Sequence, residues 1–285
     1  MLRLLLLLAA LIATPAAAQN ATLDSLLSAD RAFAAQAANA ADPVAGLAPM
    51  FDSEVWMAVA GRPHLGREAV LAALRASPAY PAGGLTWMAT RAGVSADGTQ
   101  GFTFGYLSLA GGDAARRERK YLAYWVRRPE GWRVVAYRQV IRQPGEVSRE
   151  LRPPSLPGRR VRGTVAAHQA SLAAAEQAFS DRAQQVGLRR AFAEFGREDA
   201  MNMGSPGDFT YGAAAISQIV DQGEPVSPVR WSTTRSFAAA SGDLGVSIGT
   251  IQRNGTVPDG QPESFPFFTV WRRDGAGQPW RYIAE

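Results

Sequence analysis

Trp231-Ser232-Thr233-Thr234-Arg235, followed after a short gap by Ser241-Gly242-Asp243-Leu244-Gly245-Val246-Ser247-Ile248-Gly249, is the stretch on which the fold turns. Aromatic and β-branched residues run up to a Gly-Asp turn and resume behind it, the pattern of two antiparallel strands and their hairpin. The same pattern stands 144 positions earlier: Trp87, Thr90 and Arg91 open, Asp97-Gly98 turn, and Gly101, Thr103 and Gly105 return. Each stretch is expected to be the central hairpin of one unit, written twice in the chain.

The rest of the chain allows two such units. A length of 285 residues holds two ordinary domains, and 47% apolar against 19% charged residues is a globular balance with enough side chains for two cores. Thirty basic groups against 25 acidic ones give +5, nearly all of it arginine, with Lys120 the only lysine. Cysteine is absent, which removes disulfides, thiolate nucleophiles, iron–sulfur clusters and zinc–thiolate sites. His64 and His168 are the only histidines, too few for a three-histidine metal site, and no metal or cofactor is expected.

Two segments lie outside the repeat. Arg3, the apolar run 4–13 and Ala16-Ala17-Ala18 form a secretory signal peptide over 1–18, cut after Ala18, with a run too short to span a bilayer as a stable anchor. With no cysteine after that site a lipid anchor is excluded, so the mature protein is expected to be periplasmic or secreted. Between the units, 144–164 carries Pro144, Pro153, Pro154 and Pro157 among Arg149, Arg152, Arg159, Arg160 and Arg162. Prolines fix extended backbone, and the like charges repel, so a solvated, semi-stiff linker is expected. A nucleic-acid surface would interleave such arginines with stacking aromatics, which are missing here, so no nucleic-acid partner is expected.

The first unit, 22–143, reads helices first. Leu23, Leu26, Leu27, Phe33 and Ala34 recur at helical spacing behind Thr22 as N-cap, with Asp24, Ser28, Asp30 and Arg31 largely on the other side. Asp42-Pro43 starts a short second helix, 55–60 is a short strand, and Gly66 precedes a third helix. Four strands follow, over 85–94, 101–109, 120–127 and 132–141, with Gly-rich turns between them. The second unit, 165–285, repeats the order, with Leu172, Ala175, Glu176, Phe179 and Ala183 on its first helix and 188–195 as its second. After Trp132 the first copy runs on through Tyr137, Gln139 and Ile141, whereas after Trp280 the second has only a few residues, so its last strand is expected to be about half as long. Helices followed by strands make an α+β unit.

This order resembles the NTF2-like superfamily, and within it most closely the DUF4440 branch, related to SnoaL-like cyclases and ketosteroid isomerases. The matching residues are Trp231, Ser241 to Gly245, Gly249, Val270, Trp271, Arg272, Asp274, Gly275 and Trp280. In the first copy they are Phe51, Gly66, Glu68, Ala69, Trp87, Gly98, Gly105, Trp125 and Trp132. The resemblance implies two tandem cone-shaped NTF2-like domains, each with three helices packed on a curved antiparallel sheet that encloses a pocket. It further implies sheet-to-sheet pairing, here as an internal pseudo-dimer of the two units or as a homodimer. The isomerases' general-base carboxylate falls near Val59 and Gly204, which cannot take a proton, and neither first helix has their tyrosine. An isomerase mechanism of that kind is therefore not expected.

The remaining candidates are side chains that would line the pockets. Period-two alternation puts Trp87 with Arg91, and Trp231 with Arg235, on one strand face, an aromatic wall with a cation beside it. Trp56, Tyr106, Tyr124, Met201, Met203 and Phe267 complete the candidate lining, and the same positions also read as plain core. His64, on the loop before the third helix, is the one side chain there that titrates near neutrality, as acid/base or as an exposed loop residue. His168 is expected to face solvent, and Asp243 and Asp274 to serve their own turns. Three functions stay open on these residues: binding of a small apolar or aromatic molecule, a lyase or isomerase using His64, and a structural or interaction module with filled cores.

Overall fold

The computed structural model describes residues 15–220, 223–257 and 259–285. The apolar run 4–13 of the expected signal peptide lies outside them. No helix among the described residues is long and apolar enough to cross a membrane.

In the first unit α1 (Pro15–Ala38) carries Leu23, Leu26, Leu27 and Ala37 on its buried stripe. Thr22 lies inside α1 and is not its N-cap. Asp42 caps α2 (Pro43–Leu47), accepting the N–H groups of Val44 and Ala45 at 2.9 and 2.8 Å. Next come β1 (Phe51–Val59), β2 (Arg62–Leu65), α3 (Arg67–Ala76), β3 (Leu85–Val94), β4 (Gln100–Leu109), the single turn α4 (Ala114–Arg117), β5 (Glu118–Arg128) and β6 (Gly131–Ile141). The second unit runs α5 (Val165–Phe195), β7 (Gly196–Asn202), β8 (Thr210–Tyr211), α6 (Ala213–Ile219), β9 (Val229–Ala238), β10 (Leu244–Arg253), β11 (Ser264–Arg272) and β12 (Arg281–Ala284). Gly187, at φ 80°, breaks α5 into two helices, so each unit has the three main helices that its sequence predicts.

The sheets have the same strand order, β2-β1-β6-β5-β4-β3 and β8-β7-β12-β11-β10-β9. The fold class is the expected α+β, twice. Neither sheet is purely antiparallel: β1 runs parallel to β6 and β7 parallel to β12, so the first main strand of each unit lies beside its last, second from the sheet edge. β12 has four residues against eleven in β6.

The hairpin stretch holds a feature that strict alternation misses. Ala89 pairs with Gly105 but Arg91 with Phe104, and Thr233 pairs with Gly249 but Arg235 with Ile248, so each strand contains a β-bulge. Thr90 and Thr234 close the bulges by donating to the Phe104 and Ile248 carbonyls, at 3.3 and 3.2 Å. Glycine is required opposite them: a Cβ on Gly105 or Gly249 would stand 2.0 Å from the Met88 or Ser232 carbonyl oxygen.

The extra residue sends Trp87 and Trp231 towards the helices and Arg91 and Arg235 through to the opposite face. The expected aromatic-plus-cation walls do not form. Instead Arg91 binds Asp199 of the second unit, and Arg235 binds Glu54 of the first at 2.6 Å.

That opposite face is where the two sheets meet. Trp56, Phe102, Phe104, Leu122, Tyr124, Val135 and Ala136 share one apolar layer with Met201, Met203, Phe209, Val246, Ile248, Phe268 and Ile283. Polar contacts between the units frame it. Ala96 N–H donates to Asp243 at 3.1 Å while Ser241 N–H donates to Asp97 at 2.8 Å, so the two turns exchange one bond each way. Lys120, fully buried, gives its ammonium to the Ser205 and Asp208 carbonyls, and burial lowers its pKa to about 8.

The proline-rich segment is mostly exposed, with all five of its arginines at the surface, but it is tethered to both units rather than free between them. Ser155 is buried and bridges Gly93, Arg152 N–H reaches the Thr90 carbonyl at 2.7 Å, and Val161 N–H reaches Ser241 at 2.8 Å. Its backbone donors have acceptors on both units, which extended proline-rich chain presents well. Asp243 likewise exceeds a local turn role: fully buried, it pairs with Arg272 at 3.3 Å and accepts Gly158 N–H at 3.2 Å. His168 is buried rather than solvent-facing, its Nδ1 2.9 Å from Arg273.

Candidate functional site

In each unit the first helix plants one carboxylate in the apolar core. Asp30 on α1 and Glu176 on α5 each occupy a buried position of the helical stripe. A carboxylate there must be met by donors, since burial without partners strongly disfavours it. Trp87 and Trp231, facing the helices because of the bulges, supply their indole N–H groups at 2.9 and 2.7 Å. Thr103 and Ser247 supply hydroxyls, Thr103 at 2.7 Å. The third donor is the Tyr121 hydroxyl at 3.1 Å in the first unit and the Trp271 indole at 2.8 Å in the second.

The surroundings of the two acids differ. Beside Asp30, Tyr121 packs against Tyr137 with ring centroids 6.1 Å apart, and Tyr137 packs on Phe51 at 5.6 Å. Gln139 and Tyr80 continue the chain of hydrogen bonds outward at 3.2 and 3.1 Å. In the second unit Phe267 stands where Tyr121 does, and Glu285 where Tyr137 does, bonded to β7 through the Met201 carbonyl and the Met203 N–H. With Phe267 and Glu285 in place of the two tyrosines, the space stays open. The result is a cavity of about 370 Å³ lined by Phe179, Leu188, Phe192, Trp231, Ile251 and Phe267, with Glu176 on its wall. That volume falls in the range of small-molecule sites, about 300–1,000 Å³.

Two carboxyls titrate unusually there. Burial raises Glu176 to about 7 against the pull of its Ser247, Trp271 and Trp231 donors. Glu285 is also raised to about 7, by burial first and by the Glu176 charge, while the Asn202 amide at 2.8 Å and Arg138 act the other way. Arg138 belongs to the first unit. Its neighbours in register, Ala136 and Val140, lie in the layer between the sheets, so Arg138 extends from β6 towards the second unit and lines its cavity. A second cavity, of about 640 Å³, lies between Tyr80, Arg116, Arg119 and Gln139 of the first unit and Phe265 and Pro266 of the second. Asp30 lines neither.

Of the residues singled out in the sequence, Trp231 and Phe267 line the 370 Å³ cavity. Trp87 sits on Asp30 in the filled core. Trp56, Tyr106, Tyr124, Met201 and Met203 are in the layer between the sheets, where Tyr106 donates to Asp208 and Tyr124 to Gln100 at 2.6 Å. Arg91 and Arg235 are committed to ion pairs between the units. His64 lies on the outer strand β2 opposite Met57 and lines neither cavity, so no acid/base role for it arises in them. Glu176, Glu285 and Arg138 were missed. Glu176 had a visible signal, a carboxylate inside an apolar helical stripe; its counterpart Asp30 was read on the polar side of α1 with Asp24, Ser28 and Arg31, and it alone of those four is buried. Among the described residues no group of three or more His, Asp or Glu side chains is placed to hold a metal ion.

A scan against protein-family models finds no match, and neither does a search of curated proteins. Solved structures that resemble the chain match about one unit each. A DUF3225-family protein of unknown function from Pectobacterium atrosepticum is 20% identical over 43% of this chain and 92% of its own, with a TM-score of 0.29. An NTF2-like protein with a cystatin-like fold from Novosphingobium aromaticivorans is 18% identical over 41% and 80%, with a TM-score of 0.29. An NTF2-like protein of unknown function from Pseudomonas putida is 12% identical over 44% and 97%, with a TM-score of 0.32. The strand order and helix placement of the two sheets carry the fold description.

Proposed function

We propose that the protein binds a small, mostly apolar molecule in the second unit, and that the first unit is its filled structural counterpart. The observation that carries this reading is the contrast between two equivalent positions. Around Asp30 the tyrosines close the core, while around Glu176 an aromatic-lined space of about 370 Å³ remains. An unfilled apolar space forfeits the contacts that a filled one makes, and a ligand restores them. The aromatic walls supply most of the contact, and the neutral form of Glu176, favoured by its burial, keeps the floor compatible with an uncharged ligand body.

The test is thermal stabilisation by a neutral probe, 4-phenylbutan-1-ol, in wild type and in Ile251→Trp, which fills the cavity from its wall. Wild type is expected to gain several degrees and the variant none, with both folded by circular dichroism. Equal gains in both proteins would place the probe elsewhere and overturn the reading.

Proton transfer within the same cavity is a second reading, favoured by two carboxyls held near neutrality, the range in which a side chain can both give and take a proton. It requires that the protein accelerate α-proton exchange of 4-phenylbutan-2-one in deuterated buffer, and that Glu285→Gln abolish the acceleration. Exchange at the uncatalysed rate would remove it.

Trp231, Ser241 to Gly245 and Trp271 to Asp274 in the second unit, with Trp87, Gly98, Gly105, Trp125 and Trp132 in the first, support a place for both, as a tandem pair, in the DUF4440 and SnoaL-like branch of the NTF2-like folds. Arg3, the run 4–13 and Ala16 to Ala18 support export and a periplasmic or secreted mature protein. Amino-terminal sequencing of the protein from a periplasmic fraction tests this, with Gln19 the expected first residue.

A further inference from the structure

Arg138 is the unusual cation of this molecule. Most of the chain's buried or half-buried arginines are spoken for. Arg91 binds Asp199, Arg142 binds Glu118, Arg272 binds Asp243, and Arg119 donates to Gln139 and the Ala79 carbonyl. Among the described residues, the guanidinium of Arg138 has no hydrogen-bond acceptor and no ion-pair partner within 4.0 Å, yet it is half-buried and stands on the walls of both cavities. A guanidinium offers five N–H donors in a planar fork, and the acceptor that fits the fork is a carboxylate or another planar oxyanion.

We propose that the ligand of the second unit's cavity is an amphipathic carboxylate, with its apolar body among Phe179, Trp231 and Phe267 and its carboxylate on Arg138. This rests on the cavity reading above and adds the ligand's charge. It also makes the site composite, since the second unit supplies the basin and the first unit the cation. The other polar groups at that end agree with an acid rather than an amine. Glu176 already accepts from Trp231, Ser247 and Trp271, and burial favours its uncharged form, so it is a poor partner for an ammonium. Glu285 already accepts from Asn202, and its buried setting favours the uncharged form, which can donate to a ligand carboxylate.

A composite site gives the first unit a part in binding although its own core is filled. The layer between the sheets fixes β6 against the second unit, and with it the position from which Arg138 reaches the cavity. A second unit by itself would keep the basin and lose the charge partner.

The experiment compares 4-phenylbutyrate with its neutral isostere, 4-phenylbutan-1-ol, by isothermal titration calorimetry at pH 6. Both are titrated into wild type, Arg138→Gln and Arg138→Lys. In wild type the carboxylate is expected to bind about tenfold or more tightly than the alcohol. Arg138→Gln should erase that preference and leave the alcohol's affinity within about twofold, and Arg138→Lys should restore part of the preference, because lysine keeps the charge and loses the fork. Equal affinities in wild type, or a preference that survives Arg138→Gln, would overturn the assignment of the carboxylate to Arg138 while leaving the cavity reading intact. Failure of both probes to bind wild type would remove the cavity reading itself, and this proposal with it.

Discussion

The indole N–H of Trp231 lies 2.7 Å from a carboxylate oxygen of Glu176, inside the core of the second unit. A tryptophan at the head of a strand and a carboxylate on the first helix thus form one fastening, and Trp87 with Asp30 forms the other at 2.9 Å. Two more tryptophans tie the sheet to the same helices, Trp132 to Ser25 at 3.2 Å and Trp280 to Ser171 at 3.0 Å. The repeated tryptophans are therefore the sheet's attachment to its helices. Each pairs an apolar body, which packs, with a single N–H that must find an acceptor.

The buried acid makes stability pH-dependent, with a definite sign. An unfolded glutamate titrates near its ordinary value of 4.5, whereas burial raises Glu176 to about 7 in the folded chain. Between those values the folded state holds a proton that the unfolded state has released. Stability therefore falls as pH rises from about 4.5 to about 7 and levels above, by up to about 3 kcal/mol for a fully buried group. Asp30, Asp243 and Glu285 are shifted in the same direction and add to the slope. Urea denaturation of Glu176→Gln at pH 5 and pH 8 should show a clearly smaller difference than wild type. An unchanged difference would mean that Glu176 is ionised in the fold.

The bulge glycines should tolerate no side chain. In Gly249→Ala the new Cβ would meet the Ser232 carbonyl at 2.0 Å and the Phe267 ring at 2.7 Å. Neither the strand backbone nor a packed ring can retreat cheaply, so a loss of about 2 kcal/mol or more is expected in urea denaturation. Gly207→Ala, where a Cβ meets nothing within 4 Å, serves as the control and should change stability little.

The lock between the units should behave as a pair. Asp243 and Arg272 are both fully buried, and Arg272 also donates to the Val94 and Ser155 carbonyls at 3.0 and 3.3 Å. Burial pushes each towards its neutral form, Asp243 up and Arg272 down. Arg272→Met strands a buried carboxylate and should cost about 3–5 kcal/mol, whereas adding Asp243→Asn should recover a large part of that loss. Strictly additive losses in the double variant would show that the two groups do not depend on each other.

The sequence made the units, their helices and the succession of their main strands readable, because the signals involved are local. The Asp42 cap, the Gly66 and Gly187 breaks and the Gly-Asp turns each act within a few residues. The side-chain directions on β3 and β9 were misread for an equally physical reason. One bulged residue between Trp231 and Arg235 reverses every later side chain, and period-two counting passes over it. The warning was present in Gly105 and Gly249, each placed where only a missing Cβ fits. Arg138 and Glu285 could not be found from their surroundings in the chain, since each takes its meaning from the other unit or from what Tyr137 does in the first copy. The linker reading was incomplete for a similar reason: the segment is mostly exposed but tethered. Proline and arginine composition describes how a segment behaves alone, whereas acceptors for residues 152–161 are supplied by two hairpins far away in sequence.

Whether ligand enters the second unit and not the first can be seen by diffraction from crystals soaked in 4-phenylbutan-1-ol. Probe density is expected between Phe179, Trp231 and Phe267, within contact of Ile251, with none beside Asp30. Density confined to the cleft between Tyr80 and Phe265, or beside Asp30 with the second unit's cavity empty, would contradict that expectation.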